Sequence, residues 1–151
     1  MTLIEIFSII IIHWIADFIM QSDYDAKNKS KFFHALFSHT ITYSLVWFLV
    51  GACLVLLNFR FSFWNYEQWD LSLFVLITFV CHTITDYFTS RLNGKLAPKE
   101  EVIMLKWDKN QPEQAFIRFP KGRSYHNLFI SIGGDQVLHY VQLFLTYQLL
   151  K

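Results

Sequence analysis

The sequence predicts an all-α integral membrane protein, a four-transmembrane-helix up-down bundle with one long loop between its third and fourth helices. Three observations carry that prediction. The 151 residues are 54% apolar and only 17% charged, a departure from soluble domains toward membrane proteins. Four apolar stretches, about 3–21, 33–57, 71–91 and 125–150, approach or exceed the roughly 20 residues that cross a bilayer. The 13 basic residues, Arg60 and Lys151 excepted, all fall within 22–32 or between Arg91 and Arg123. In an up-down bundle those two regions share one side of the membrane. The positive-inside rule makes that side cytoplasmic and puts both termini outside.

Residues 1–151 therefore form a single domain, expected in a bacterial inner membrane. A net charge of +1 gives no electrostatic case for nucleic acid. Cys53 and Cys81 both lie inside apolar runs, without metal-type spacing, and act as small hydrophobic filler. The start, Met-Thr-Leu-Ile-Glu, lacks a basic segment and a small-residue cleavage site, so 3–21 is expected to be a retained first span.

Taken in order, the first segment is apolar from Leu3 to Met20 apart from a few polar side chains. The loop 22–32 carries Lys27, Lys29 and Lys31 and reads as topology-setting charge. Residues 58–70 contain Phe59, Phe61, Phe63, Trp64, Tyr66 and Trp69, an aromatic set suited to the membrane–water boundary. In the loop 92–124, Val102–Trp107 and Ala115–Phe119 flank a polar turn and suggest a β-hairpin. A loop of that length is a candidate docking surface for a host membrane protein. Gly133-Gly134 either start the last helix or kink a continuous one.

The polar residues inside these segments are the informative ones. His13, Asp17 and Gln21 are spaced by four, which turns a helix by about 400° and lines them up about 6 Å apart. His39 and Tyr43 repeat the spacing in the second segment, His82 and Asp86 in the third, Asp135 and His139 in the fourth, beside Gln136. In the predicted topology Asp17 and Asp86 come late in helices running toward the cytoplasm. His39 and Asp135 come early in helices running away from it. All four segments thus place ionisable groups in the same cytoplasmic half of the bilayer. An Asp near a span's centre costs roughly 2.5–3.5 kcal/mol on insertion scales, so these groups are expected to face inward and be paired, protonated or bound to a cation.

Imidazole and carboxylate ligands on facing helices suit a divalent metal, zinc or manganese foremost. The expected ligands are His13, Asp17, His39, His82, Asp86, Asp135 and His139. Seven exceed the need of one tetrahedral ion: they suit two metals, or one metal with orienting carboxylates around it. Asp17, Asp86 and Asp135 are the candidate catalytic carboxylates, one of them a general base. Gln21, Gln136 and Tyr43 are supporting residues. Lys31 and Arg91 flank the cytoplasmic mouth, where they either set topology or contact a phosphate. His126 reaches the site if its segment folds back. His34, five residues before His39, points elsewhere and is expected at the interface.

The run His13-Trp-Ile-Ala-Asp17-Phe-Ile-Met-Gln21, the Lys-rich residues and His39 after it, His82-x3-Asp86, and Asp135-Gln136-x2-His139 together resemble a small bacterial and phage membrane-protein family, domain of unknown function 3307. The resemblance spans nearly the whole chain, with 96–124 departing from a minimal version of the pattern. It implies a phage origin. In motif style it is similar to membrane-embedded metal-dependent hydrolases. The expected activity is metal-assisted hydrolysis of an ester or phosphoester, with a membrane lipid as the natural substrate. Two other readings stay open. One is an ion or proton transporter or channel, built if need be between copies in a homo-oligomer. The other is a non-catalytic phage protein that modifies a host membrane system through the loop 92–124.

Overall fold

The computed structural model describes residues 1–56, 68–96, 101–105, 114–118 and 125–150. Five α-helices appear among them: α1 (Leu3–Trp14), α2 (Asp23–Asn28), α3 (Phe33–Leu56), α4 (Gln68–Leu96) and α5 (Tyr125–Leu149). A π-helical turn, Ile15–Ile19, prolongs α1. The backbone of Glu101–Leu105 (β1) pairs antiparallel with that of Gln114–Arg118 (β2), Glu101 opposite Arg118. The aromatic set at 58–70, the turn joining β1 to β2, and Lys106, Lys109, Lys121 and Arg123 lie outside the described residues or side chains.

Among the described residues, three helices are long and apolar enough to cross a membrane, over Phe33–Leu54, Leu71–Leu96 and His126–Leu149. The expected fourth span is shorter than the rest. Helical backbone runs only from Leu3 to Ile19, about 25 Å at about 1.5 Å per residue, against a hydrocarbon core of about 30 Å. The first segment ends early because Ser22 opens a new helix. Ser22 Oγ accepts from the Asp25 backbone N–H at 3.1 Å and donates to Asp25 Oδ2 at 2.8 Å, capping α2. The start of α1 is fastened likewise by a capping box between Thr2 and Glu5.

Gly133-Gly134 neither begin nor break a helix, since α5 is continuous from Tyr125. The backbone groups of a membrane helix are satisfied within the segment, so glycine there loses nothing to water. The hydroxyls of Thr42, Thr83 and Thr89 turn back onto carbonyls of their own helices, hiding polar groups in the same way.

The long helices alternate in direction. Contacts between α1 and α3 run from His13–Tyr43 to Asp17–His39. Those between α3 and α4 run from His39–His82 to Trp47–Phe74. Those between α4 and α5 run from Asp86–His139 to a shared lining of Thr78, Leu143 and Thr146. In each pair one number rises as the other falls. At one end Ile9, Trp47, Phe74, Leu143 and Tyr147 make a closed apolar cluster, with Met1 and Leu150 packed against it. Met1 and Leu150 are therefore at that end, where Glu5 is the buried acidic residue, and the buried His/Asp groups are at the other.

The pattern is inside-out for a water-soluble fold. His13, Asp17, His39, His82, Asp86 and His139 are all buried to 3% exposure or less, while Leu45, Leu49, Leu76, Ile84, Val137 and Leu145 are each at least half exposed. A continuous apolar exterior would be an aggregation surface in water; against lipid it is the ordinary outer face.

Candidate metal centre

The site begins with the π turn. Glu5, Ile9 and His13 form the buried stripe of α1. At Ile15 the hydrogen-bond ladder widens, with the Met20 N–H donating to the Ile15 carbonyl at 2.9 Å. Through this turn Ala16 and Asp17 are buried while Phe18, Ile19 and Met20 face outward. Such bulges recur at functional sites because they re-aim a side chain without ending the helix.

Asp17 meets His39 of α3 and His82 and Asp86 of α4. His39 Nε2 is 3.0 Å from Asp17 Oδ1, 3.1 Å from Asp86 Oδ2 and 3.2 Å from His82 Nε2. His82 Nε2 is 3.7 Å from each of the same two carboxylate oxygens. A tetrahedron with metal–ligand bonds of about 2.0–2.2 Å has edges of about 3.3–3.6 Å, and these five separations bracket it. Despite its closeness to His39, Asp17 Oδ1 receives no well-aligned hydrogen bond. The four ligand atoms all lie within 4.8 Å of one another.

Charge balance leads to the same place. With the imidazoles neutral, Asp17, Asp86 and Asp135 bring three negative charges, and among the described residues the ammonium in contact with them is that of Lys29. The difference calls for further positive charge at the site. Buried carboxylates without compensation would be strongly unfavourable. Two imidazole nitrogens 3.2 Å apart share either a proton or a metal cation, and the flanking carboxylates stabilise positive charge between them.

His13 sits beside this tetrad. Its Nδ1 is 2.8 Å from the Tyr43 hydroxyl and its Nε2 is 3.0 Å from Gln136 Oε1. Gln136 Nε2 donates to Asp17 Oδ2 at 3.1 Å. A carboxylate only accepts, so the Gln136 amide is fixed, His13 donates through Nε2, and the Tyr43 hydroxyl donates to Nδ1. Both His13 nitrogens are thus engaged in holding Asp17, the arrangement that orients a metal ligand from outside.

On the far side, Asp86 Oδ1 is 3.4 Å from His139 Nε2, which is 3.3 Å from Asp135 Oδ1. Six of the seven expected ligands therefore come together in two clusters, Asp17–His39–His82–Asp86 and Asp86–Asp135–His139, each within 4.8 Å. His13 touches the first through Gln136.

The peripheral candidates behave differently. Arg91 folds onto its own helix, donating to the Tyr87 carbonyl at 2.7 Å and stacking on the Tyr87 ring. Lys31 and His126 are exposed. His34 bonds Tyr24 at 2.7 Å, away from the cluster. Gln21 does join the site: with its amide turned so that nitrogen faces the Asp17 carbonyl, it donates there at 3.1 Å and accepts from Lys29 Nζ at 3.3 Å.

Lys29 is the residue that sequence reasoning missed. It stands at the C-terminal cap of α2 and donates to Asp86 Oδ2 at 2.9 Å. Burial pulls its pKa down, but the Asp86 and Asp17 carboxylates outweigh this and hold it above the ordinary lysine value. Read as one of three loop lysines, it gave no sign of this. Ser22-x2-Asp25 did mark a helix start that would aim the next turn inward.

No family model, curated protein or solved structure matches this chain. The arrangement defines a helical protein with buried His/Asp clusters that could hold a metal ion, in a bundle with three candidate membrane spans among the described residues.

Proposed function

We propose that the protein is a membrane-embedded, metal-dependent hydrolase of the bacterial inner membrane, with its site in the cytoplasmic half of the bundle. The observation that carries the reading is the Asp17–His39–His82–Asp86 tetrad, with tetrahedral spacing, at the polar end of an otherwise apolar bundle. Those four residues would hold the ion, zinc or manganese by donor type. A divalent metal there supplies a Lewis acid and lowers the pKa of water toward neutrality.

The chain's own groups do the rest. His13, Gln136 and Tyr43 fix the orientation of Asp17. Lys29, partly open to solvent at 16% side-chain exposure, offers an ammonium beside the site. That favours an anionic phosphoester, such as a phospholipid headgroup, over a neutral ester. Of the three expected catalytic carboxylates, Asp135 stands outside the tetrad, beside His139. The motifs that carry the family resemblance are the ones that build the clusters, and on that ground we also propose kinship with that bacterial and phage family.

The transporter reading needs a polar path through the membrane. Among the described residues, Trp47, Phe74 and Leu143 pack together away from the His/Asp clusters, and the space beneath His82 and His139 is too tight for water. The interaction-protein reading rests on 92–124, most of which lies outside the described residues.

Elemental analysis of protein purified without added metal, followed by incubation with labelled phospholipids and phosphoesters, tests the proposal. Bound transition metal and turnover are expected in the wild type, and loss of both in His82→Ala. Absence of metal after repletion overturns it. Metal without turnover on any ester class leaves a structural metal in an interaction protein.

A further inference from the structure

We propose that Asp135, His139 and the outward oxygen of Asp86 form a second metal position, so that Asp86 bridges two divalent cations. The proposal rests on the reading that the tetrad binds the first ion.

The two oxygens of Asp86 are divided between the clusters. Oδ2 faces His39 and His82 at 3.1 and 3.7 Å. Oδ1 faces His139 at 3.4 Å. A carboxylate so placed is a natural bridge, and bridged ions lie about 3.5–4 Å apart. His139 is 1% exposed, and neither of its ring nitrogens has a well-aligned hydrogen-bond partner. Asp135 Oδ1, 3.3 Å from that ring, lacks one too. Buried polar atoms without partners are uncommon and call for a cause. Here the orphaned atoms are donor atoms of a metal site.

The His82 and His139 rings lie side by side, 4.2 Å between centroids and 31° apart in plane. One wall of α4 and α5 thus presents a ligand nitrogen to each position. Two carboxylates and one imidazole give the second ion three protein ligands and open positions for water or substrate, a donor set suited to manganese, iron or zinc. Two divalent ions also exceed the negative charge of the three carboxylates net of Lys29. That leaves a positive centre matched to a phosphoester.

The test uses the full chain in detergent, stripped of metal and reloaded with Mn2+, with metal per chain and electron paramagnetic resonance as readouts. About two Mn2+ per chain and the multiline signal of an exchange-coupled pair are expected. His139→Gln and Asp135→Asn should each reduce this to about one, with an uncoupled signal and unchanged circular dichroism. One Mn2+ in the wild type, uncoupled and unaffected by His139→Gln, overturns the second position while leaving the tetrad intact. No Mn2+ at all overturns both. If either variant fails to fold, the wild-type signal decides alone.

Discussion

At the scale of the residue, the site separates groups that hold a cation from groups that hold those groups. His39 and His82 aim their Nε2 atoms at the same two carboxylate oxygens; His13 aims both nitrogens at Tyr43 and Gln136. These roles predict different variants. Tyr43→Phe or Gln136→Leu should weaken metal binding by about 10–100-fold without changing the number of ions bound, the usual cost of removing an orienting partner. His39→Ala should empty the tetrad. Competition titration against a chelator separates the two; equal losses in all three variants would mean that His13 is itself a ligand. The spacing of four made His13, His39, Tyr43 and His82 visible in the sequence, because that spacing survives any reasonable placement of helix ends; Gln136 was visible only as the neighbour of Asp135. It did not separate ligand from support, which depends on hydrogen-bond direction. Lys29 stayed hidden for another reason: a lysine in a basic loop looks the same whether it meets water or Asp86.

At the scale of the element, the π turn at Ile15–Ile19 carries Asp17, and its effect on where Asp17 points is testable. Nothing in Ile-Ala-Asp-Phe-Ile signals the turn, since neither glycine nor proline is present and the run is as apolar as its neighbours. Deleting Ile15 would bring Asp17 to three residues after His13 and swing it by about 100°. We expect helix content by circular dichroism to be kept and metal affinity to fall by at least about 10–100-fold. Unchanged affinity would show that the widened turn is incidental. The ends of the other helices were only partly legible. α4 begins at Gln68 and runs to Leu96, a turn or so beyond the expected 71–91, because polar residues at a membrane surface continue a helix as readily as they end it.

At the scale of the whole molecule, the alternation of direction and the clustering of charge at one end were legible from loop charges and segment lengths together. Asp17, His39, His82, Asp86, Asp135 and His139 do meet in space. The number of full-length spans was less so: apolarity continues to Met20, but the capped start of α2 cuts the first helix short. Sidedness yields a direct prediction. After Cys53 and Cys81, both free thiols, are replaced by alanine, Lys31→Cys should be modified by an impermeant reagent only in opened cells. A cysteine placed before Met1 should react in intact ones. The reverse pattern would put the site on the outer face and remove cytoplasmic substrates from consideration.

The hydrogen bonds of Gln136 to His13 and Asp17 join the first helix to the last. Helices enter the membrane in the order in which they are made. The acid and imidazole of the first segment therefore gain their amide partner only when α5 joins the bundle. Before that, Asp17 already has His39 and His82 beside it, but His13 and the second oxygen of Asp17 lack the group that links them. The same bond that steadies the metal ligand thus makes the first helix's final alignment depend on the arrival of α5.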